Sequence, residues 1–286
     1  MKKILIVGGS GFLGSKILQT LSNSGSYLIY VYDFKKKINY EENKQINFID
    51  IQDCDLKQLF EKNNFHFIIN AAVIYDSEFK FEVFDTNFIM PLKLIEYGKK
   101  NGCINFIFFD SFFSKYEKYN KKNNYINSKK YFKNEISNQK GIKSFNLMLE
   151  HMYGPNDNPN KFIEIVSQNM HNKIDKMDLT LGNQKRDFIH VEDVCDLVAS
   201  IIFEITFFKN KNYNFEVGSG KSISIRDFLT TMKIIFNSNI KLNFGGIEEN
   251  KFEINDSFSN INTIPSRLNW KPKISINKGI KSLITN

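Results

Sequence analysis

In the stretch Tyr125-Ile126-Asn127-Ser128-Lys129, a tyrosine and a lysine stand one helical turn apart. On a helix that spacing puts a phenol and an ammonium on the same face. An ammonium beside a phenol favours the phenolate, so the pair is expected to lower the tyrosine pKa toward a range useful for proton transfer. The spacing by itself is cheap: it recurs at Tyr32/Lys36 and Tyr40/Lys44. Ser111 singles out the third pair, because it lies just beyond an apolar run, Ile104 to Phe109, that reads as a strand. A hydroxyl at a strand's carboxyl end belongs at the ligand edge of an α/β sheet. Ser111, Tyr125 and Lys129 are therefore the candidate catalytic set, suited to proton transfer at a carbonyl or alcohol oxygen while hydride moves at the adjoining carbon.

A hydride needs a carrier, and the first twenty residues provide for one. Ile4-Leu5-Ile6-Val7 reads as a buried strand, followed by Gly8, Gly11 and Gly14 and then by a helix with Leu13, Ile17, Leu18 and Leu21 on one face. At this spacing one glycine makes the tight turn, one lets backbone N–H groups approach a pyrophosphate, and one lets the helix pack closely on the sheet. Phe12 and Leu13 open that helix, whose positive end would face the phosphates. Asp33 follows a second apolar strand, Tyr27 to Tyr32, where an acid can accept both ribose hydroxyls of a dinucleotide. The expected cofactor is NAD(H) or NADP(H). Asp33 would repel a 2′-phosphate and leans to NAD(H), whereas lysines such as Lys35 to Lys37 could touch one.

The elements that must position these groups alternate along the first half of the chain. Further strands are expected at Asn47 to Ile51, His66 to Val73, Ile104 to Phe109 and Ser144 to Leu149. Helices are expected at Asp53 to Lys62, Asn87 to Lys100 and Tyr125 to Asn138. This alternation predicts an α/β fold, a Rossmann-type doubly wound parallel sheet over residues 1–150. Past Gly154 the rhythm breaks at Pro155 and Pro159, and residues 151–286 read as a smaller α/β substrate lobe. A late strand, Tyr213 to Val217, returns to the first sheet. His190 and Asp193 are expected to cap a helix start, and Trp270 to pack in a core.

Composition excludes several classes. The 286 residues are long enough for a full core, and 42% hydrophobic with 24% charged residues is ordinary for a soluble protein. No run is long enough to span a bilayer and no secretion signal is read, so no membrane partner is expected. Three scattered cysteines, Cys54, Cys103 and Cys195, have neither metal nor redox spacing and fit a reducing, cytoplasmic setting. The net charge of +8 comes from lysines spread along the chain; without a nucleic-acid motif it suits a diphosphate-bearing substrate better than a specific nucleic acid.

Taken in order, Gly8-x-x-Gly11-x-x-Gly14, Asn70-Ala71-Ala72, Asn87, Ser111 and Tyr125-x-x-x-Lys129 resemble the extended short-chain dehydrogenase/reductases. Within them the likeness is to the nucleotide-sugar epimerase/dehydratase branch. Tyr153-Gly154-Pro155, Gln184 to Val194 and Leu268-Asn269-Trp270-Lys271-Pro272 agree, so the resemblance covers nearly the whole chain. Glu150 to Pro155 with Gln184 to Ile189 look most like the CDP-abequose synthase type, which reduces the 4-keto group of a CDP-linked deoxysugar and commonly takes NADPH. The resemblance implies that Tyr125 exchanges the proton at the sugar oxygen, that Lys129 tunes it and holds the nicotinamide ribose, and that Ser111 hydrogen-bonds the same oxygen. It also implies that Asp50 and Ile51 flank the adenine, that Ala71, Ala72 and Asn87 line the cofactor site, and that His151 and Arg186 meet the substrate, Arg186 at its diphosphate. A homodimer is implied by the family alone.

The departures narrow the reaction. Family dehydratases carry an Asp-Glu pair after the Ser/Thr for the steps of water loss; here Phe112 and Phe113 follow Ser111, which argues against dehydration. The short Ser-to-Tyr gap leans from 4-epimerase toward reductase. Met148 and His151 stand where many members have Arg and Asn, and no arginine occurs from Glu248 to Glu253, so the substrate stays open. Three readings remain: a 4-keto reductase acting on a nucleotide sugar, a 4-epimerase with tightly held NAD, and a non-catalytic dinucleotide sensor.

Overall fold

A computed structural model describes residues 1–34, 43–75, 80–116, 123–249 and 253–284. The Lys35 to Lys37 run lies outside the described residues. Packing divides the chain into two compact units. One holds Met1–Met148, Cys195–Phe215 and Pro265–Asn269, the other Leu149–Val194, Glu216–Ile264 and Trp270–Asn286.

The first unit begins with β1 (Lys2–Val7), α1 (Phe12–Asn23), β2 (Tyr27–Asp33), β3 (Ile46–Asp50), α2 (Leu56–Lys62) and β4 (Phe67–Asn70). Ile4, Leu5, Ile6 and Val7 are all buried, which is why β1 reads as an unbroken apolar run: a central strand covered on both faces has no polar side to alternate with. It pairs in parallel with both β2 and β4. Next come α3 (Lys80–Phe84), a π-helical turn (Asp85–Ile89), α4 (Met90–Lys100), β5 (Asn105–Ser111), α5 (Asn124–Ser137) and β6 (Lys143–Leu149). The expected helix from Asn87 therefore starts earlier and carries a π turn with Asn87 inside it.

The chain continues through β7 (His151–Tyr153), α6 (Phe162–His171), β8 (Lys176–Leu179), β9 (Lys185–His190), α7 (Val191–Phe203) and β10 (Asn212–Val217). The seven-stranded sheet has the order β10-β6-β5-β4-β1-β2-β3, so the late strand does return to it, beside β6. The doubly wound α/β class expected from the alternation is the observed one. Its order reverses at β1 and β4, and ligands of such sheets bind where the carboxyl ends diverge at that reversal. Phe106, Phe108 and Phe132 lock α5 under β5, with Phe108 and Phe132 edge to face at 4.9 Å. The catalytic-helix candidate is thereby fixed to the strand that ends in Ser111.

The second unit adds β11 (Ser222–Ser224), α8 (Ile225–Ile235), β12 (Lys241–Phe244), β13 (Asp256–Ser257) and α9 (Ile276–Ser282). β9 lies between β11 and β13 and also pairs with β7, and β8 pairs with β12. Its core is aromatic: Phe188 stacks on Phe228 at 3.9 Å, and Tyr153 meets both edge-on. Asp193 does not cap its own helix. It lies in the first turn of α7, and its carboxylate accepts the N–H groups of Lys273 and Ile274, tying down the chain before α9. His190 does accept the Glu192 N–H at the start of α7. Trp270 donates its indole N–H to the Asp193 carbonyl at 2.8 Å.

Candidate active site

The glycine turn between β1 and α1 is built by exclusion of side chains. Gly8 has φ +77°, and a Cβ there would stand 2.5 Å from the Ala72 nitrogen, while one on Gly14 would stand 2.1 Å from the Gly8 carbonyl oxygen. Gly11 caps α1 with extended backbone and donates its N–H to Gly8 O at 3.1 Å. Phe12 and Leu13 follow as the first helical residues, in the turn whose N–H groups have no partner inside an α-helix. At the end of β4, Ala71 donates to Val7 O at 2.9 Å and brings Ala71-Ala72 against the turn. The buried Asn70 Oδ1 in this corner has no hydrogen-bond partner. A turn stripped of side chains, at the sheet's reversal and facing a helix N-terminus, fits a dinucleotide diphosphate.

Asp33 lies at the end of β2 and does more than wait for a ligand. One carboxylate oxygen accepts the Ser10 N–H at 2.8 Å, and the other accepts the Phe34 N–H at 2.8 Å. Asp50 is its register neighbour on β3 and accepts the Gln52 N–H, and Ile51 donates its N–H to Asp33 O. Asp33, Asp50 and Ile51 thus share one edge of the sheet, as a binding site for adenosine needs.

Asn87 is almost fully buried. Its Oδ1 accepts the Ile74 N–H at 3.0 Å, and its Nδ2 donates to Ile74 O at 2.7 Å and to Ser128 Oγ at 3.2 Å. Ser128 in turn donates to the Tyr125 carbonyl at 2.8 Å. One amide therefore staples the segment after β4 to helix α5.

Ser111 is the last residue of β5, rather than lying beyond the strand, and caps the short helical turn at Phe112–Lys115. Asn123 caps α5 by accepting the N–H groups of Tyr125 and Ile126, which fixes Tyr125 in the first turn. Burial pushes the Tyr125 phenol up; the phenol of Tyr75 and the carboxylate of Asp110 push the same way, and a hydrogen bond from Ser111 opposes them. This reverses the direction expected of a lysine-paired tyrosine. The reason is burial itself, the largest cause at Tyr125; Lys129, also buried, donates to Phe109 O at 3.0 Å and is pushed down to about 8 by the same desolvation.

Two participants were not among the sequence candidates. Asp110 is buried beside Ser111; its Oδ1 accepts from Ser111 N and from Ser114 Oγ, and Lys133 stands 3.8 Å from its Oδ2. An acid in an otherwise apolar strand was the available signal. Tyr75 places its ring 5.0 Å from that of Tyr125, and nothing in its sequence neighbourhood marks it.

His151 and Arg186 belong to the second unit. Burial pushes His151 down, with Glu150, 3.8 Å from its Nδ1, opposing. Arg186 is buried, bonded to the carbonyls of Lys185 and Ile254 and paired with Glu253. The guanidinium expected to meet a diphosphate thus has a carboxylate partner within its own unit. Next to it, Asp187 is fully buried and accepts from the backbone N–H groups of Ser219, Gly220 and Ser259 and from the hydroxyls of Ser219 and Ser259. Among the described residues no cluster of His, Cys, Asp and Glu could hold a metal ion, and no helix is long and apolar enough to cross a membrane.

Comparison with known proteins gives concordant matches. The sequence model of the NAD dependent epimerase/dehydratase family matches residues 4–215. A CDP-abequose synthase of Salmonella muenchen is 33% identical over 99% of this chain and 97% of its own length. Another from Salmonella typhimurium is 30% identical over 98% and 97%. Among solved structures, the UDP-glucose 4-epimerase of Thermotoga maritima with UDP-glucose aligns at TM-score 0.83 and 20% identity, covering 99% of this chain and 97% of that one. The dTDP-glucose 4,6-dehydratase of Bacillus anthracis in complex with NAD aligns at 0.82 and 18%, covering 99% and 96%. At such identities the solved structures speak for the fold.

Proposed function

Since the chain belongs to the NAD dependent epimerase/dehydratase family and is an enzyme of the nucleotide-sugar epimerase/dehydratase type, we propose that it reduces the 4-keto group of a CDP-linked deoxysugar. The observation that carries this reading is the placement of Tyr125: Asn123 fixes it in the first turn of α5, Phe108 and Phe132 hold that helix against the strand that ends in Ser111, and burial pushes its phenol up. A carbonyl reductase needs a proton donor at the oxygen, and a raised phenol pKa keeps the proton in place until an alkoxide forms to take it. Ser111 fixes the carbonyl oxygen, and the Asp110 carboxylate fixes Ser111 through its N–H. Lys129, one turn further along the same helix, is assigned as a buried cation near the forming charge. The nicotinamide, when bound, supplies the hydride. Gly8, Gly11, Phe12, Leu13, Gly14, Ala71, Ala72 and Asn87 are the residues assigned to hold that cofactor, with Asp33, Asp50 and Ile51 toward its adenosine.

The CDP-linked substrate class is supported by likeness along the full length of two CDP-abequose synthases. Phe112, buried immediately after Ser111, supplies none of the acid–base groups that dehydration requires. His151 is assigned to the sugar. Arg186 is assigned to the diphosphate only if Glu253 gives way to it. The test is to mix purified protein with NADH or NADPH and a CDP-linked 4-keto-6-deoxysugar and follow cofactor absorbance. Stoichiometric loss with one cofactor is the expected result. A new sugar isomer with no loss of absorbance would replace reductase by epimerase.

A further inference from the structure

Tyr75 lies outside every motif of the chain, yet its ring is packed on that of Tyr125, centroids 5.0 Å apart and planes tilted by 42°. Its ring is about half exposed, at 49%. A tyrosine so placed gains little from burial, so core packing does not account for it.

Its position is nevertheless determined closely. The residue before it, Ile74, has both backbone groups bonded to the Asn87 amide, whose Nδ2 also reaches Ser128 Oγ. Ser128 donates to the backbone carbonyl of Tyr125 itself. The two tyrosines thus hang from opposite ends of one hydrogen-bond chain, Ile74–Asn87–Ser128–Tyr125, and their rings close it at the top. Such an arrangement fixes the relative placement of two side chains rather than adding buried surface.

We propose that Tyr75 is a positioning residue for proton transfer at Tyr125: its ring orients the Tyr125 phenol and screens it from water. This rests on the reading of Tyr125 as the proton donor. The groups acting on the Tyr125 phenol are Tyr75 from the segment after β4 and Asp110 and Ser111 from β5, with Lys129 one turn further along its own helix. A loosely held donor loses rate because proton transfer depends steeply on geometry.

The test uses Tyr75→Ala, which removes the ring, and Tyr75→Phe, which keeps the ring without its hydroxyl. Tyr75→Ala should lower kcat about 10- to 100-fold, while cofactor KM stays within about twofold. Tyr75→Phe should recover most of kcat, since the ring that orients the phenol is kept. Wild-type kcat in Tyr75→Ala would overturn the proposal. A second readout needs no turnover: fluorotyrosine placed at position 125 and followed by fluorine NMR in the full-length protein. Its resonance should shift and narrow toward that of a mobile, hydrated ring in Tyr75→Ala and stay in place in Tyr75→Phe. An unchanged resonance in Tyr75→Ala overturns the proposal by itself. If the wild type turns over no nucleotide sugar, the functional reading falls while the fluorine result still decides the role of Tyr75.

Discussion

Asn87 closes both backbone hydrogen bonds of Ile74, accepting its N–H at 3.0 Å and donating to its carbonyl at 2.7 Å. A carboxamide, with acceptor and donor on one planar head, is suited to this. Asn87→Ala should cost about 2 kcal/mol of stability, because two backbone groups and Ser128 lose their partner together. Asn87→Asp keeps the acceptor but not the donor and leaves a charge buried, so it should be no better. Urea unfolding of both variants is the measurement, and stability equal to wild type would remove Asn87 from this role.

At the proposed reaction centre, Tyr125→Phe should reduce kcat by about 10² to 10⁴ while leaving dinucleotide affinity near wild type. Ser111→Ala should cost about 10² in kcat through loss of the donor at the carbonyl oxygen. Steady-state kinetics beside a fluorescence titration of NADH separates the two effects. Full activity in Tyr125→Phe would remove the phenol from the mechanism.

Lys129 links stability to pH in a direction opposite to that of a salt-bridged lysine. Its folded pKa of about 8 lies below the ordinary 10.5, so the folded state sheds this proton first. Below about pH 8 both states are charged and the cost of burying the ammonium is present in full. As pH rises toward 10.5 the unfolded chain holds the extra proton, and stability rises with pH. Relative to Lys129→Met, the wild type should gain on the order of 3 kcal/mol across that window. Denaturant melts of both proteins at pH 7.5 and pH 10 check it; a constant difference would mean that the ammonium is not desolvated.

The glycine turn permits a sharper contrast. Gly8→Ala meets both a positive φ and the Ala72 backbone at 2.5 Å, and Gly14→Ala meets the Gly8 carbonyl at 2.1 Å. Neither obstacle is a flexible side chain that could swing away. Both variants should lose dinucleotide binding. Alanine at Gly25, also at positive φ but with open space around it, should leave binding intact and cost only about 1 kcal/mol of stability. Calorimetric titration with NADH across the three variants distinguishes a crowded turn from a merely strained one.

Much of the fold was legible because its local signals agreed. The unbroken apolar run of β1 and the glycines after it, with Leu13 to Leu21 in helical register, required no tertiary information, and Asp33 lies at the carboxyl end of β2, as its last residue rather than just after it. The helix before α4 was less legible: a π turn at Asp85–Ile89 shifts the apolar spacing that marks a helix. In the second unit β7, β11 and β13 span only two or three residues each, too few for alternation to declare itself. At the candidate site, residue types named Ser111, Tyr125 and Lys129, but only coordinates could rank their electrostatics. The i,i+4 spacing brings Lys129 near Tyr125 without revealing that its ammonium is buried and donates to the Phe109 carbonyl. Tyr75 reaches Tyr125 only through three-dimensional placement, and Asp187 gathers five donors from segments distant in sequence.

The bond from Ser10 N–H to the Asp33 carboxylate has a consequence for how this chain can change its coenzyme. An acid that only discriminated against a 2′-phosphate could be exchanged for a neutral residue with no other effect. Here the same carboxylate latches the glycine turn and the Phe34 amide, so the discrimination proposed for Asp33 and the turn geometry would rest on one side chain. Replacing it to admit a phosphate also releases the latch, loosening the cradle shared by both coenzymes. Evolution or engineering toward the phosphorylated form therefore needs paired substitutions, one to welcome the new charge and one to hold the turn.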